Sequence, residues 1–449
     1  MKKALRISVL VACTATILHC GGSKSTSNQH RLSNLKYRAF VSNPLFPSGF
    51  GNSPVINIVD ALKDQVSAAN ISLLGESNQP SIMEVTPDLS RTVVFSPNGN
   101  TVTVIDNKTE ALADVAGSTT AIPTITLPGV TESMFIAKDN TSLYAAVPGA
   151  PIDGQSPGAV VAVNLGTGAT TATIPVPAAH YVVGTPDGTH LLAFSDNSDN
   201  VTLISTALIG TNSDPRQPAG GIAGFHRPVW GIFSDNATAY IFNCGAQCGG
   251  TAAAGDDVAG ISTFSIGSPA PSGISPLSAA TYGILDGGAL YVAGTPPNTA
   301  CPAGTASQNC GTLNIVDPNS LRPTNAKPIL ITDGYHNRMQ MASNGQLFIG
   351  AKSCTNINIS GGEVRGCLSI FDTVHSKVVI APVNGDATGI QPITGRTVVY
   401  VCQGGAFRIY STTNDQLFIP PNSVNSNNGV TDNIVGQSYD VKLVDPPQS

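Results

Sequence analysis

A two-strand signature recurs eight times along this chain at nearly constant spacing, and that regularity constrains the fold more than any other feature. Its first member is an apolar segment: RAFVSN, TVVFSPN, SLYAAV, HLLAFSD, TAYIFNC, ALYVAGT, QLFIGAK and VVYVCQG. With Phe40, Val94, Tyr144, Leu192, Tyr240, Tyr291, Phe348 and Tyr400 set equivalent, successive copies lie 54, 50, 48, 48, 51, 57 and 52 residues apart. The second member alternates apolar and polar positions: VINIVD (55–60), VTVID (102–106), VVAVN (160–164), VTLIS (201–205), ISTFS (261–265), LNIVD (313–317), LSIFD (368–372) and FRIYS (407–411). Alternation of period two places one face of each segment in a core. The closing Asp60, Asp106, Asn164, Ser205, Ser265, Asp317, Asp372 or Ser411 can bond its own backbone and open a turn.

Ahead of most first members lies another short strand ending in a turn, as in IMEVTPD, SMFIAKD, YVVGTPDG, VWGIFSDN and MQMASNG. A weaker fourth strand follows the closing turn, for example at Lys377 to Ala381. A four-stranded unit of this length cannot bury both faces except against its neighbours, which is the sequence mark of a propeller blade. The fold class expected is therefore all-β: an eight-bladed β-propeller over residues 37–449. The first unit has no inner strand before it, and SYDVKLVD (438–445) has the pattern to supply one. Pairing the chain ends in one blade would close the ring and remove exposed sheet edges. Seven blades is the alternative, if the N-terminal unit only patches the last blade.

Composition agrees. Charged residues are 11 % of the chain, and 46 Gly and 32 Pro favour turns over helices. The net charge of −6 comes with no Lys/Arg run beyond the extreme N-terminus, so no footprint for nucleic acid is present.

Residues 1–20 carry Lys2, Lys3 and Arg6, then an apolar run from Ile7 to Leu18, then Cys20-Gly21-Gly22-Ser23. This is the layout of an export signal and is too short to span a membrane. The Cys and the polar stretch after it resemble a bacterial lipoprotein junction, which implies lipidation at Cys20. His19 departs from the small residue that junction prefers; Leu10-Val11-Ala12-Cys13 fits it better but leaves a very short apolar core, so Cys13 is the alternative. Residues 21–36 read as a flexible tether. The expected location is the cell envelope, on the outer membrane or a periplasm-facing membrane, with plain secretion if no lipid is added.

At the repeat level, LYVAGT followed by LNIVDPNS, with inner strands ending in TPDG, resembles the YVTN family of β-propeller repeats over residues 37–445. The resemblance implies a fold shared by surface antigens, binding scaffolds and lactonase-like enzymes.

Six cysteines form sequence-local pairs, Cys244 with Cys248, Cys301 with Cys310 and Cys354 with Cys367, each between the two signature strands of its repeat. Three repeats with two cysteines in one topological loop point to three disulfides formed in an oxidising compartment. Cys402, within an apolar strand, reads as a buried thiol. The long loops, the cysteine loops among them, such as Pro44 to Ser53, Pro148 to Gly158 and Asn243 to Ala259, open on the face where the chain enters each blade. That face is the expected binding surface.

His180, His226 and His336 each precede an inner strand, which places them at the mouth of the central channel with Arg227, Arg338 and Glu132 nearby. Imidazoles converging there could hold a divalent transition metal, or with the arginines an anion; no other cofactor is expected. The G-x-S-x-G string at residues 154–158 lacks the following helix a nucleophile elbow needs. Asp196-Asn197-Ser198-Asp199-Asn200 lacks the Gly and distal Glu of a calcium loop and reads as a hairpin turn. With no catalytic residues assigned, the expected role is a binding module, monomeric and held to the membrane through its N-terminal lipid alone, that engages a protein, glycan or small molecule. The alternative is a lactonase-like or metal-dependent hydrolase at the channel mouth.

Overall fold

The computed structural model describes residues 32–48, 51–73, 79–113, 124–248, 258–296, 310–355, 357–359, 363–381, 385–418 and 434–447. The leader, Cys13, Cys20 and Cys301 lie outside them. Among the described residues eight antiparallel blade sheets follow one another along the chain, with a small two-stranded hairpin, Ile357–Ile359 with Glu363–Arg365, in the blade 7 loop. The inner strands of the blades neighbour each other in chain order around a ring. Those inner strands are Val441–Leu443, Met83–Val85, Ser133–Ile136, Ala179–Gly184, Pro228–Phe233, Tyr282–Asp286, Tyr335–Met341 and Ala387–Pro392, in blades 1 to 8.

The alternation read in the sequence explains the stacking. In His190–Ser195, the second strand of blade 4, Leu191 and Ala193 pack into a cluster shared with blade 3. Leu192 and Phe194 point the other way, into a cluster shared with blade 5. Among the described residues each neighbouring pair of blades has one such cluster, so the core is a ring of eight interlayer cores rather than a single centre. Burying an aliphatic or aromatic side chain stabilises by roughly 1.5–3 kcal/mol, and each blade depends on both neighbours for that gain.

The ring closes as expected. Val441–Leu443 pairs antiparallel with Arg38–Ser48, Ala39 opposite Leu443 and Val41 opposite Val441. Arg38 fastens the seam. Its Nη2 lies 2.6 Å from Asp445 Oδ1 and its Nη1 2.8 Å from Glu110 Oε1 in blade 2, and it donates to the Asn107 carbonyl. On the other side Arg396 of blade 8 pairs with the buried Asp64 of blade 1, which also accepts from the Tyr400 hydroxyl.

The closing residues act as expected. Asn164 Oδ1 accepts from the amides of Gly166 and Thr167, and Asp372 Oδ1 from Val374 and His375. Two features differ from the sequence reading. The long loop of unit one is mostly strand: Arg38–Ser48 and Gly51–Asp60 form one extended hairpin with a bulge between Asn43 and Phe46. Blade 8 has three strands among the described residues, with one bridge at Tyr410–Leu417, and blade 4 likewise has no regular fourth strand; only isolated bridges at Val201–Ile222 and Ile204–Arg216 cover its edge. Pro215 and Pro218 in that segment cannot donate to a ladder. Gly158, the last residue of the G-x-S-x-G string, has φ +128°, and a Cβ there would sit 2.2 Å from the Ala178 amide nitrogen, so this glycine serves close packing of the loop.

Candidate functional site at the channel mouth

Inner strands begin on the face where the long loops open, so residues at their starts surround one end of the central channel. Glu132 precedes the inner strand of blade 3, His180 and Tyr181 lie near the start of blade 4, Arg227 precedes blade 5, and Tyr335 opens blade 7. With Ser195, Asp196 and Asn197 from the blade 4 hairpin and Gln247 and Cys248 from the blade 5 loop, they wall a pocket of about 460 Å³. A Cys244–Cys248 disulfide closes the single turn Gly245–Cys248, and Gln247 Oε1 accepts from the Thr295 amide of blade 6 at 3.0 Å. Two further concavities, of about 420 and 400 Å³, share Gln247 and Tyr335 on one side and Ser195 to Asn197 on the other. The long-loop face thus carries three adjoining concavities.

His180 organises the charge. Its Nδ1 lies 2.9 Å from Asp196 Oδ1, and its Nε2 3.7 Å from Glu132 Oε2, an ion-pair distance rather than a hydrogen bond. Burial alone would lower its pKa, but the Asp196 hydrogen bond and the Glu132 charge outweigh it and lift the value to about 9. At neutral pH the ring is an imidazolium. Glu132 is held at about 2, first by His180 and, against desolvation, by Lys352, whose Nζ lies 3.0 Å away. Arg227 adopts φ +52°, a conformation non-glycine residues rarely take, with its amide bonded to Asp199 Oδ1 and its Nη1 to the Asn197 carbonyl. Beneath them Tyr181 is 6 % exposed, its phenol pushed strongly upward by burial and the neighbouring Tyr335. His180 stacks on Tyr181, which meets Trp230 edge-on at 5.5 Å, and Trp230 stacks on Tyr282 at 4.8 Å. An aromatic row therefore runs from the mouth into the channel.

Glu132, His180 and Arg227 share this pocket; the other three residues singled out in the sequence do not wall it. His226 sits beside it, with its backbone amide bonded to Asn243 Oδ1. His336 is 1 % exposed and bonded through Nε2 to the Thr332 carbonyl, and burial lowers its pKa to about 4. Alternation with Tyr335, which walls the pocket, turns its ring away from the mouth and over Gly311 of blade 6, and the bulge between His336 and Arg338 breaks that alternation before Arg338. Arg338 lies two residues deeper, donating to the Thr388 and Asn337 carbonyls within the channel. The three histidines therefore do not converge. Among the described residues no group of three His, Cys, Asp or Glu side chains is arranged to hold a metal ion.

Sequence reasoning missed Asp196, Asp199, Tyr181 and Tyr335. The DNSDN turn is a hairpin turn, as read, but its carboxylates also hold His180 and Arg227. The signal was available: a turn with two aspartates faces the same mouth as the cations. Cys354–Cys367 is a disulfide of the blade 7 loop, Cys310 is disulfide-bonded, and Cys402 is a buried free thiol.

No family model and no curated protein matches the sequence. Solved structures do. Dihydro-heme d1 dehydrogenase NirN, in complex with DHE, is 12 % identical, with a TM-score of 0.58 over 91 % of this chain and 75 % of that one. A eukaryotic initiation factor is 12 % identical, with a TM-score of 0.50 over 92 % and 100 %. A Pseudomonas aeruginosa periplasmic gluconolactonase, PpgL, is 16 % identical, with a TM-score of 0.47 over 92 % and 99 %. At such identities the first two likenesses speak to the fold alone. The propeller implied by the YVTN resemblance is present, while that repeat family is not itself matched.

Proposed function

We propose that this protein is an exported, envelope-tethered binding propeller that holds a small polar molecule at the long-loop mouth of its channel. One observation carries the reading. His180 Nε2 and the Tyr181 hydroxyl, both buried polar atoms in the pocket wall, make no hydrogen bond of ordinary geometry: Nε2 faces Glu132 only at 3.7 Å, and the hydroxyl has Tyr335 as its polar neighbour. A buried donor left without a well-formed bond costs up to about 1–3 kcal/mol, and a ligand oxygen between these groups would offer both a better acceptor. Around them His180, Arg227 and Lys352 balance Glu132, Asp196 and Asp199, so the mouth suits a neutral or zwitterionic molecule rich in acceptor oxygens, such as a short glycan or a hydroxylated acid amide. The disulfides fit an oxidising compartment, and lipidation at Cys20, with Cys13 as the alternative, would supply the tether.

The test is a calorimetric screen of mono- and disaccharides and neutral polyols against the purified protein. Binding that falls at least about ten-fold, or ~1.4 kcal/mol, in Tyr181→Phe supports the assignment; a ligand bound equally by Tyr181→Phe and Glu132→Gln places recognition elsewhere. A second reading rests on the Asp196–His180 pair, whose arrangement suits a proton donor for hydrolysis of a small ester or lactone. It requires turnover that disappears in His180→Gln while the fold persists.

A further inference from the structure

The opposite mouth of the channel has a different chemistry. Inner strands end there, and a concavity of about 590 Å³ is walled by the strand ends of blades 3, 4 and 5, with Phe135, Val183, Trp230, Ile232 and Phe233 all half-buried. Volumes of this order accommodate small ligands. Trp230 Nε1 is fully shielded, so the indole presents carbon surface to the bowl. Lys138 is the one charged residue in the wall.

The rim carries the opposite sign. Each of blades 2 to 5 turns from its inner to its second strand through an aspartate within two residues of the wall: Asp88, Asp139, Asp187 and Asp235. These carboxylates accept hydrogen bonds from their own turns, as Asp187 Oδ1 does from Thr185 Oγ1 at 2.7 Å and Asp235 Oδ1 from the Ala237 and Thr238 amides at 2.7 Å. Those bonds keep them ionised: Asp187 is held at about 2 and the other three below the usual carboxylate range. Against four carboxylates stand Lys138 and Arg91, which opens the second strand of blade 2.

We infer that this bowl is a second binding site, distinct from the long-loop pocket, and that it takes an organic cation with an apolar body: the body against Trp230, Phe135 and Ile232, and the charge toward the aspartate rim. Aromatic walls add to this preference, because ring faces attract cations.

The chain has a single tryptophan, and Trp230 walls the bowl while meeting Tyr181 of the other pocket, so its emission reads binding and Ile232→Arg assigns that binding to the bowl. The full-length protein in detergent-free buffer is titrated with decyltrimethylammonium and, separately, with decanoate, which has a matched tail and the opposite charge. The expected result is a saturable Trp230 response in which the cation binds at least about ten-fold tighter at low salt, the gap narrowing as ionic strength screens the rim. Lys138→Gln should tighten the cation about two- to three-fold, and Asp187→Asn should weaken it by a similar factor. Ile232→Arg should remove the response. Equal or tighter binding of decanoate, a response that does not saturate, or one that survives Ile232→Arg would overturn the inference; the ligand comparison on the unaltered protein does so even if a variant fails to fold.

Discussion

Lys352 of blade 7 and Glu132 of blade 3 form an ion pair across the channel mouth, Nζ to Oε2 at 3.0 Å, between blades that stand opposite each other in the ring of eight. Glu132 faces His180 as well, so a single carboxylate ties three blades at the pocket rim. Its side chain is 45 % exposed, so the pair contributes no more than about 1 kcal/mol to stability. What it sets is the protonation of its neighbours.

Replacing Glu132 by Gln should therefore lower the His180 pKa from about 9 by roughly one unit, with Asp196 left as the remaining support. Imidazole chemical shifts followed through a pH titration read this directly. A His180 titration unchanged in Glu132→Gln would mean that Asp196 alone sets the charge.

The pH dependence of stability follows with a definite sign. His180 has a raised pKa, so its contribution is complete below 6.5 and disappears as pH climbs through about 9. Glu132 is depressed, so its contribution is present above 4.5 and vanishes as pH falls through about 2. Urea melts of the protein and of His180→Gln should differ by about 1–2 kcal/mol at pH 6 and converge by pH 10.

Truncating Arg38 to Ala leaves Glu110, whose side chain is 2 % exposed, without its cation. Glu110 keeps its bonds from the Ser33 amide and hydroxyl, so the cost falls below the roughly 3–5 kcal/mol of a fully stranded buried carboxylate and still loosens the seam between the chain ends. The loss should appear in chemical denaturation, with Asp445→Asn milder because the Asp445 side chain is 14 % exposed.

Breaking the Cys354–Cys367 bridge with paired alanines should cost about 2–3 kcal/mol at most, as expected for a loop of 13 residues. The Cys244–Cys248 bridge spans 4 residues and should matter less to stability than to the shape of the pocket that Cys248 and Gln247 line. Binding of a ligand found for the long-loop mouth, measured before and after reduction, separates the two effects.

The architecture was legible because one physical rule repeats: period-two alternation at a fixed spacing admits few solutions, and the Asp60 and Asn164 turns punctuate it. The candidate site was only partly legible. Glu132, His180 and Arg227 could be placed at the mouth by topology. His336 could not be excluded from it, because side-chain direction turns on register, and a bulge between His336 and Arg338 shifts that register by one residue. Tyr181 reads in sequence as one more apolar strand position. Its hydroxyl acquires meaning only when blade 7 brings Tyr335 alongside.

Closure of blade 1 by Val441–Leu443 also sets an order of events. The first strand synthesised waits for almost the last, so throughout translation Arg38–Ser48 has an open side and the interlayer cores of blades 1 and 8 lack a wall. Completion is a single late step linking residues about 400 positions apart, the kind of non-local pairing that makes folding slow. A chain cut short by ten residues would carry the other blades and a blade 1 without its inner strand, an unsealed arc.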